Sequence, residues 1–151
     1  MAKEDVANTI GRWAIWASKH RERFVYEQVR PVSYEIRPKM VLDCSSFATW
    51  CYRQAGAKDP NRVAYNGTGY TGTLVQMGKQ VRTPRPGDIA IFGPGNGEHA
   101  AVVIAKGTNP LLVSHGDSQG PVIVHASDDP RPVRYFRYDT TLSWPPRDFP
   151  A

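Results

Sequence analysis

The chain has few cysteines, no repeat, no low-complexity tract and no long apolar run. Its longest hydrophobic stretches fall far short of the roughly 20 residues of a membrane helix, so no membrane insertion is expected. The N-terminus, Met1-Ala2-Lys3-Glu4-Asp5, carries no signal-peptide apolar region, which predicts synthesis in a cytoplasm without a leader. Only two cysteines occur. Cys44 and Cys51 fall on one predicted helix, where about 1.5 Å of rise per residue separates them by roughly 10 Å, beyond the limit of about 7 Å for a bridge. Both are expected as free thiols, with Cys51 in the core. No Cys, His or acid pair has the close spacing of a structural metal site, and Gly93-Pro94-Gly95-Asn96-Gly97 leads into a strand without the lysine of a phosphate loop. No metal or cofactor is expected.

Acidic residues are also in deficit, 14 against 19 Lys and Arg, giving a charge of +5 and a pI near 9.4. Such a balance suits polyanions, whether nucleic acid or an anionic cell wall. The basic residues are scattered. Their single run, Lys19-His20-Arg21-Glu22-Arg23, is interrupted by an acid and reads as a solvated helix face.

What is present describes one globular domain. At 151 residues, with 40% hydrophobic and 22% charged residues, the chain can bury a full core without staples. Val6, Ile10, Trp13, Ala14 and Ala17 form a helical stripe, predicting a helix over residues 4 to 23. An extended connector over 24 to 42 delivers the chain to a second helix, 44 to 55, capped by Asp43 and stopped by Gly56. A turn-rich loop over 57 to 70 precedes a short helix capped by Thr71. Beyond Arg85-Pro86-Gly87 the pattern changes to short strands at 88–92, 99–105, 111–115, 122–125 and 133–137. Helices followed by closely spaced strands predict an α+β fold, helices packed on an antiparallel meander of about five strands. Residues 1–140 read as the domain and 141–151 as a tail or linker stub.

Cys44 is the most informative residue. It lies in the first turn of its helix, where free backbone N–H groups and the positive end of the macrodipole favour a thiolate. A terminus contributes only about 0.3 to 1 kcal/mol, less than one pKa unit. A nucleophilic thiol therefore needs a base. His99 opens a strand, and Leu111 to His115 runs back beside it. If opposed residue numbers sum to an even value, His99, Val113, His115 and Asp117 share one face, and His115 or Asp117 lies across from His99 to orient it. An odd register places those partners on the other face.

Asp43-Cys44-Ser45-Ser46-Phe47, Arg85-Pro86-Gly87-Asp88-Ile89-Ala90-Ile91-Phe92, His99-Ala100-Ala101-Val102-Val103-Ile104 and the following His115 resemble the NlpC/p60 cell-wall cysteine peptidases. Tyr26-Glu27-Gln28-Val29-Arg30-Pro31, Tyr65-Asn66-Gly67-Thr68-Gly69-Tyr70 and Val113-Ser114-His115-Gly116-Asp117 are further similar to the peptidase domains of actinobacteriophage endolysins. The resemblance implies a papain-like core in which Cys44 is the nucleophile, His99 the base and His115 the orienting residue, with Asp117 as the alternative third member. Tyr26 would support the oxyanion, with Tyr34 as its substitute. Ser46 departs from the family, which often has glycine there.

The activity implied is a peptidoglycan endopeptidase cutting stem-peptide amides, at the γ-D-glutamyl-meso-diaminopimelate bond. The alternatives are an N-acetylmuramoyl-L-alanine amidase and a non-catalytic wall-binding or virion structural module. A secreted antibacterial effector using the same chemistry also fits. The partner implied is bacterial peptidoglycan, with no nucleic acid, and the chain is expected as a monomer acting at the wall after release from the host cytoplasm.

Overall fold

The computed structural model describes residues 1–150 and has the expected α+β architecture. The first helix, α1 (Lys3–Ser18), ends before the basic run, and Arg21–Arg23 form a separate 3-10 turn. Lys19 to Arg23 is therefore not a helix face. Two short strands, β1 (Phe24–Tyr26) and β2 (Met40–Leu42), lie inside the predicted connector and pair in parallel, Phe24 with Met40 and Tyr26 with Leu42.

The second helix, α2 (Cys44–Gln54), starts at a reciprocal cap. Asp43 Oδ1 accepts the Ser46 N–H at 3.0 Å, and the Asp43 N–H donates to Ser46 Oγ at 2.8 Å. Ser46, the residue that departs from the family pattern, thus closes a capping box in place of the usual Glu or Gln. Gly56, with φ near 78°, takes the left-handed turn that ends the helix. A short helix, α3 (Thr71–Met77), follows, with Tyr70 rather than Thr71 at its cap position.

Six strands form one antiparallel sheet: β3 (Lys79–Val81), β4 (Ile89–Phe92), β5 (His99–Val103), β6 (Leu111–Ser114), β7 (Val122–His125) and β8 (Val133–Arg137). Their order is β3-β8-β4-β5-β6-β7, which corrects the expected simple meander. Only β4 to β7 run as neighbours in sequence. After β7 the chain crosses back so that β8 pairs with β4 on the far side and with β3, the strand absent from the sequence reading. Lys79-Gln80-Val81 is too short and polar to announce itself as a strand.

The two faces differ. On one, Ile89, Ile91, Ala100, Val102, Val113 and Phe136 pack with the helices around Trp13, Trp50 and Phe47, all three fully buried. Full burial of each large side chain stabilises by about 1.5 to 3 kcal/mol, so this face carries most of the core. On the other, Ala90, Phe92, Ala101, Val103 and Leu112 form a smaller layer with Ala126 and Tyr135. Residues 141–150 fold back on the domain: Arg147 N–H donates to the Gln54 carbonyl at 2.9 Å, Phe149 stacks on Trp13 at 4.1 Å, and the Arg53 guanidinium lies 4.8 Å from the Trp144 ring.

Candidate active site

Cys44 sits where the sequence places it, in the first turn of α2, 8% exposed and unpaired like Cys51. Its sulfur receives the N–H groups of Ala100, Ser45 and Cys44 itself, all of which favour a thiolate. Burial outweighs them, and the Asp43 carboxylate adds to it, so the thiol titrates above its ordinary value. The helix terminus favours the thiolate as expected, but burial is the larger effect and the resting form is the thiol. A base must remove the proton in the course of reaction.

Ala100 ties the sulfur to β5, and its neighbour is His99. The pairs Val102–Val113 and Val103–Leu112 sum to 215, so the register is odd. Continued to the strand end, it sets Gly116 opposite His99. A side chain at Gly116 would begin 3.2 Å from His99 Cε1, so the imidazole rests on bare backbone. Ser114, on the same face, meets His99 Nε2 at 2.7 Å. The predicted shared face of His99, His115 and Asp117 is therefore corrected. Serine adjoining the histidine gave no sequence signal, because only the register turns it toward the ring.

His115 points the other way, into the helical core. It is fully buried, its Nε2 lies 2.9 Å from the Leu42 carbonyl, and its ring meets Phe24, Tyr26 and Phe47 at 6.1, 5.3 and 5.6 Å. Burial lowers its pKa against the pull of the Leu42, Val25 and Gly120 carbonyls. Neutral at pH 7, it donates to Leu42 and holds the strand that enters α2. Asp117 is exposed and accepts the Gln119 N–H at 2.8 Å, an Asx turn in the loop after β6.

Two hollows lie at the site, one at Cys44 and one at Ser114. One, of about 450 Å³, is lined by Cys44, Tyr26, Arg30, Tyr70, Thr71 and Glu98, among others. The other, also about 450 Å³, lies beyond Ser114 and is walled by Val124, Pro130, Asp129 and Arg131. Tyr26 thus reaches the cysteine side, whereas Tyr34 lines a separate cavity with Arg53, Tyr65 and Arg147.

Arg30 carries no signal of its own in the sequence, yet it clamps the start of α2. Its guanidinium meets Asp43 Oδ2 at 3.1 Å, Ser45 Oγ at 3.2 Å and the Gly69 carbonyl at 2.9 Å. Burial alone would raise the Asp43 carboxyl, but the Ser46 bonds and Arg30 leave it below its ordinary value.

On the histidine side, Arg131 grips Asp129 through two bonds of 3.0 and 2.6 Å. Burial first, and Arg131 second, lower the His99 pKa, while Asp129 opposes them. His99 is consequently neutral at pH 7 and free to accept a proton. The Arg131 charge couples to Cys44 as well as to His99, so sulfur and imidazole share one electrostatic neighbourhood at the start of β5.

Among the described residues no group of three or more His, Cys, Asp or Glu is placed to hold a metal ion, and no helix is long and apolar enough to cross a membrane. The CHAP domain family matches residues 34–117, more than half the chain and a span that holds Cys44, His99, Ser114 and His115. No curated protein matches the sequence.

Proposed function

Because the chain belongs to the CHAP domain family, whose members are peptidoglycan hydrolases related to the NlpC/p60 cysteine peptidases, we propose that it is an endopeptidase of peptidoglycan stem peptides with Cys44 as nucleophile and His99 as base. The observation that carries the reading is the Cys44 sulfur at the start of α2, held against the Ala100 N–H one residue from His99. Neither element alone would raise a thiol's reactivity enough; the neutral His99 imidazole, on the residue next to Ala100, is assigned as the missing base.

In the proposed reaction the Cys44 thiol gives its proton to His99 Nδ1 as sulfur attacks the amide carbon. Ser114 on Nε2 keeps the ring oriented, the part that the resemblance gives to His115 or Asp117. The oxyanion falls to the backbone N–H groups around the sulfur and to the Tyr26 hydroxyl. Protonated His99 then gives the proton to the departing amine, and water attacks the thioester to release the acid and restore the thiol. His115 serves the other half of the site by fixing Leu42, two residues before the nucleophile.

The bond assigned is that between γ-D-glutamate and meso-diaminopimelate, supported by the resemblance to phage endolysin peptidase domains, and the biological role assigned is lysis of the host wall after release from the cytoplasm. Digestion of diaminopimelate-type peptidoglycan followed by mass analysis of the fragments tests it. New N-terminal diaminopimelate confirms the endopeptidase, released lactyl-bearing glycan would make the enzyme an amidase, and intact sacculi would leave a wall-binding module.

A further inference from the structure

The basic run between α1 and β1 takes no part in the reaction above. Lys19 to Lys39 holds six Lys and Arg against three Glu; with Arg30 bound to Asp43 at the start of α2, the other five cations stand against those three acids. The fold concentrates part of this surplus. Arg21 and Lys39, separated by the whole connector, line one open depression of about 740 Å³ together with Glu22, Val25, Ser118 and Gln119. Beside it, Arg23 donates to the Arg37 carbonyl at 2.8 Å and lies 5.4 Å from the centre of the Trp16 ring. Arg21, Arg37 and Lys39 are exposed. The one acid near Arg37, Glu35, stands 3.7 Å away with both side chains largely in water, an arrangement that neutralises little.

Position gives the patch its meaning. In the parallel pair β1 and β2, the cations cluster where both strands begin, and the cleft lies where both end, at Tyr26 and at Leu42 leading to Cys44. Three residues of strand span about 7 Å. A polymer held at one end of the pair would therefore present its neighbouring peptide at the other.

We propose that this depression docks a phosphodiester polymer attached to the cell wall, and that it tethers the enzyme beside the bond it cuts. The inference rests on the wall-hydrolase reading for its source of phosphate. Charge complementarity supplies the attraction: at the depression Arg21 and Lys39 stand against the single carboxylate of Glu22, and Arg23 and Arg37 lie beside it. A nucleic acid is the poorer fit. Base recognition needs exposed aromatic faces for stacking, and the aromatic residue at this depression, Phe24, is 5% exposed. Val25, 39% exposed, offers an apolar contact suited to the carbon links between phosphates.

The test is co-sedimentation of the full chain with sacculi carrying their phosphodiester polymer and with the same sacculi chemically stripped of it. It is run alongside free poly(glycerol phosphate) and duplex DNA at equal phosphate concentration. Binding to intact sacculi should exceed binding to stripped ones by at least about tenfold and fall steeply with salt. Arg21→Glu with Lys39→Glu should remove that difference and flatten the salt slope by about one per lost contact. Cleavage of soluble stem-peptide fragments and the thermal midpoint should stay unchanged in that variant. Equal binding to intact and stripped sacculi, measured on the unaltered chain, overturns the proposal, as does undiminished polymer binding by a folded double variant. Preference for DNA over the polymer overturns it in favour of a nucleic-acid surface. Polymer binding without any cleavage sinks the hydrolase reading and leaves the docking site standing.

Discussion

The two faces of the six-stranded sheet carry two histidines in contrasting settings. His115 lies on the helical face, sealed among Phe24, Tyr26 and Phe47 and bonded to a backbone carbonyl. His99 lies on the thinner face, part exposed, resting over Gly116 and bonded to a side-chain hydroxyl. The same residue type thus serves packing in one place and is left free for proton transfer in the other. What separates them is a register sum of 215 rather than 214 or 216, since one residue of slip exchanges the faces.

The largest effect expected tests the reaction itself. Cys44→Ala should abolish cleavage with the fold intact, and His99→Ala should cost about 10³-fold or more in turnover, since the thiol is held above its ordinary pKa and ionises poorly unaided. Steady-state rates on soluble stem peptides measure both. Undiminished cleavage by Cys44→Ser would reject the nucleophile.

The comparison itself breaks or holds on the next pair. His115→Ala should lower stability by about 2 to 4 kcal/mol, because it leaves a cavity in the core and takes from the Leu42 carbonyl one of its two donors, the Glu27 N–H at 3.2 Å remaining. Ser114→Ala should leave stability within about 1 kcal/mol yet reduce kcat by about tenfold through a misoriented ring, with KM little changed. Denaturant titration beside kinetics separates the two. A Ser114→Ala enzyme of full activity, with His115→Ala folded and dead, would restore the original assignment of the third role.

Most of the fold was legible because its signals are local. The Trp13 and Ala14 stripe, the Asp43 cap, the Gly56 stop and the Cys44 position each depend on residues within one or two turns. Strand neighbours are not local: nothing in Val133 to Arg137 states that it pairs with β4 rather than β7. The same gap governed the site. Cys44 and His99 stood out by residue type, but Ser114 became visible only when the register was fixed, and Arg30 and Arg131 only when loops distant in sequence came together.

Arg131 sharpens the contrast between the faces through pH. Activity needs His99 neutral, so its acid limb should fall below the ordinary histidine value, because burial and Arg131 lower that pKa. Arg131→Ala removes a cation that lowers it and leaves the Asp129 carboxylate unpaired, which raises it. Both changes act in one direction. The acid limb of kcat/KM should therefore move to higher pH, and a move to lower pH, or none, would show that the Asp129–Arg131 pair does not face the working imidazole.

The smallest effect concerns acid stability and reads the helical face alone. His115 has a folded pKa below its ordinary value because burial disfavours the charged ring. In the unfolded chain it takes up a proton near pH 6.5, while the folded protein resists doing so. The unfolded state then binds more protons, and stability falls as pH drops below about 6.5. His115→Gln should be less stable at pH 7, yet lose less on acidification than the unaltered chain. Ser114→Ala, which touches only the other face, should keep the unaltered slope. Thermal midpoints between pH 7.5 and 5 for the three proteins would show this, and equal slopes for His115→Gln and the unaltered chain would mean that the ring takes up its proton at the same pH folded and unfolded, so that burial does not hold it neutral.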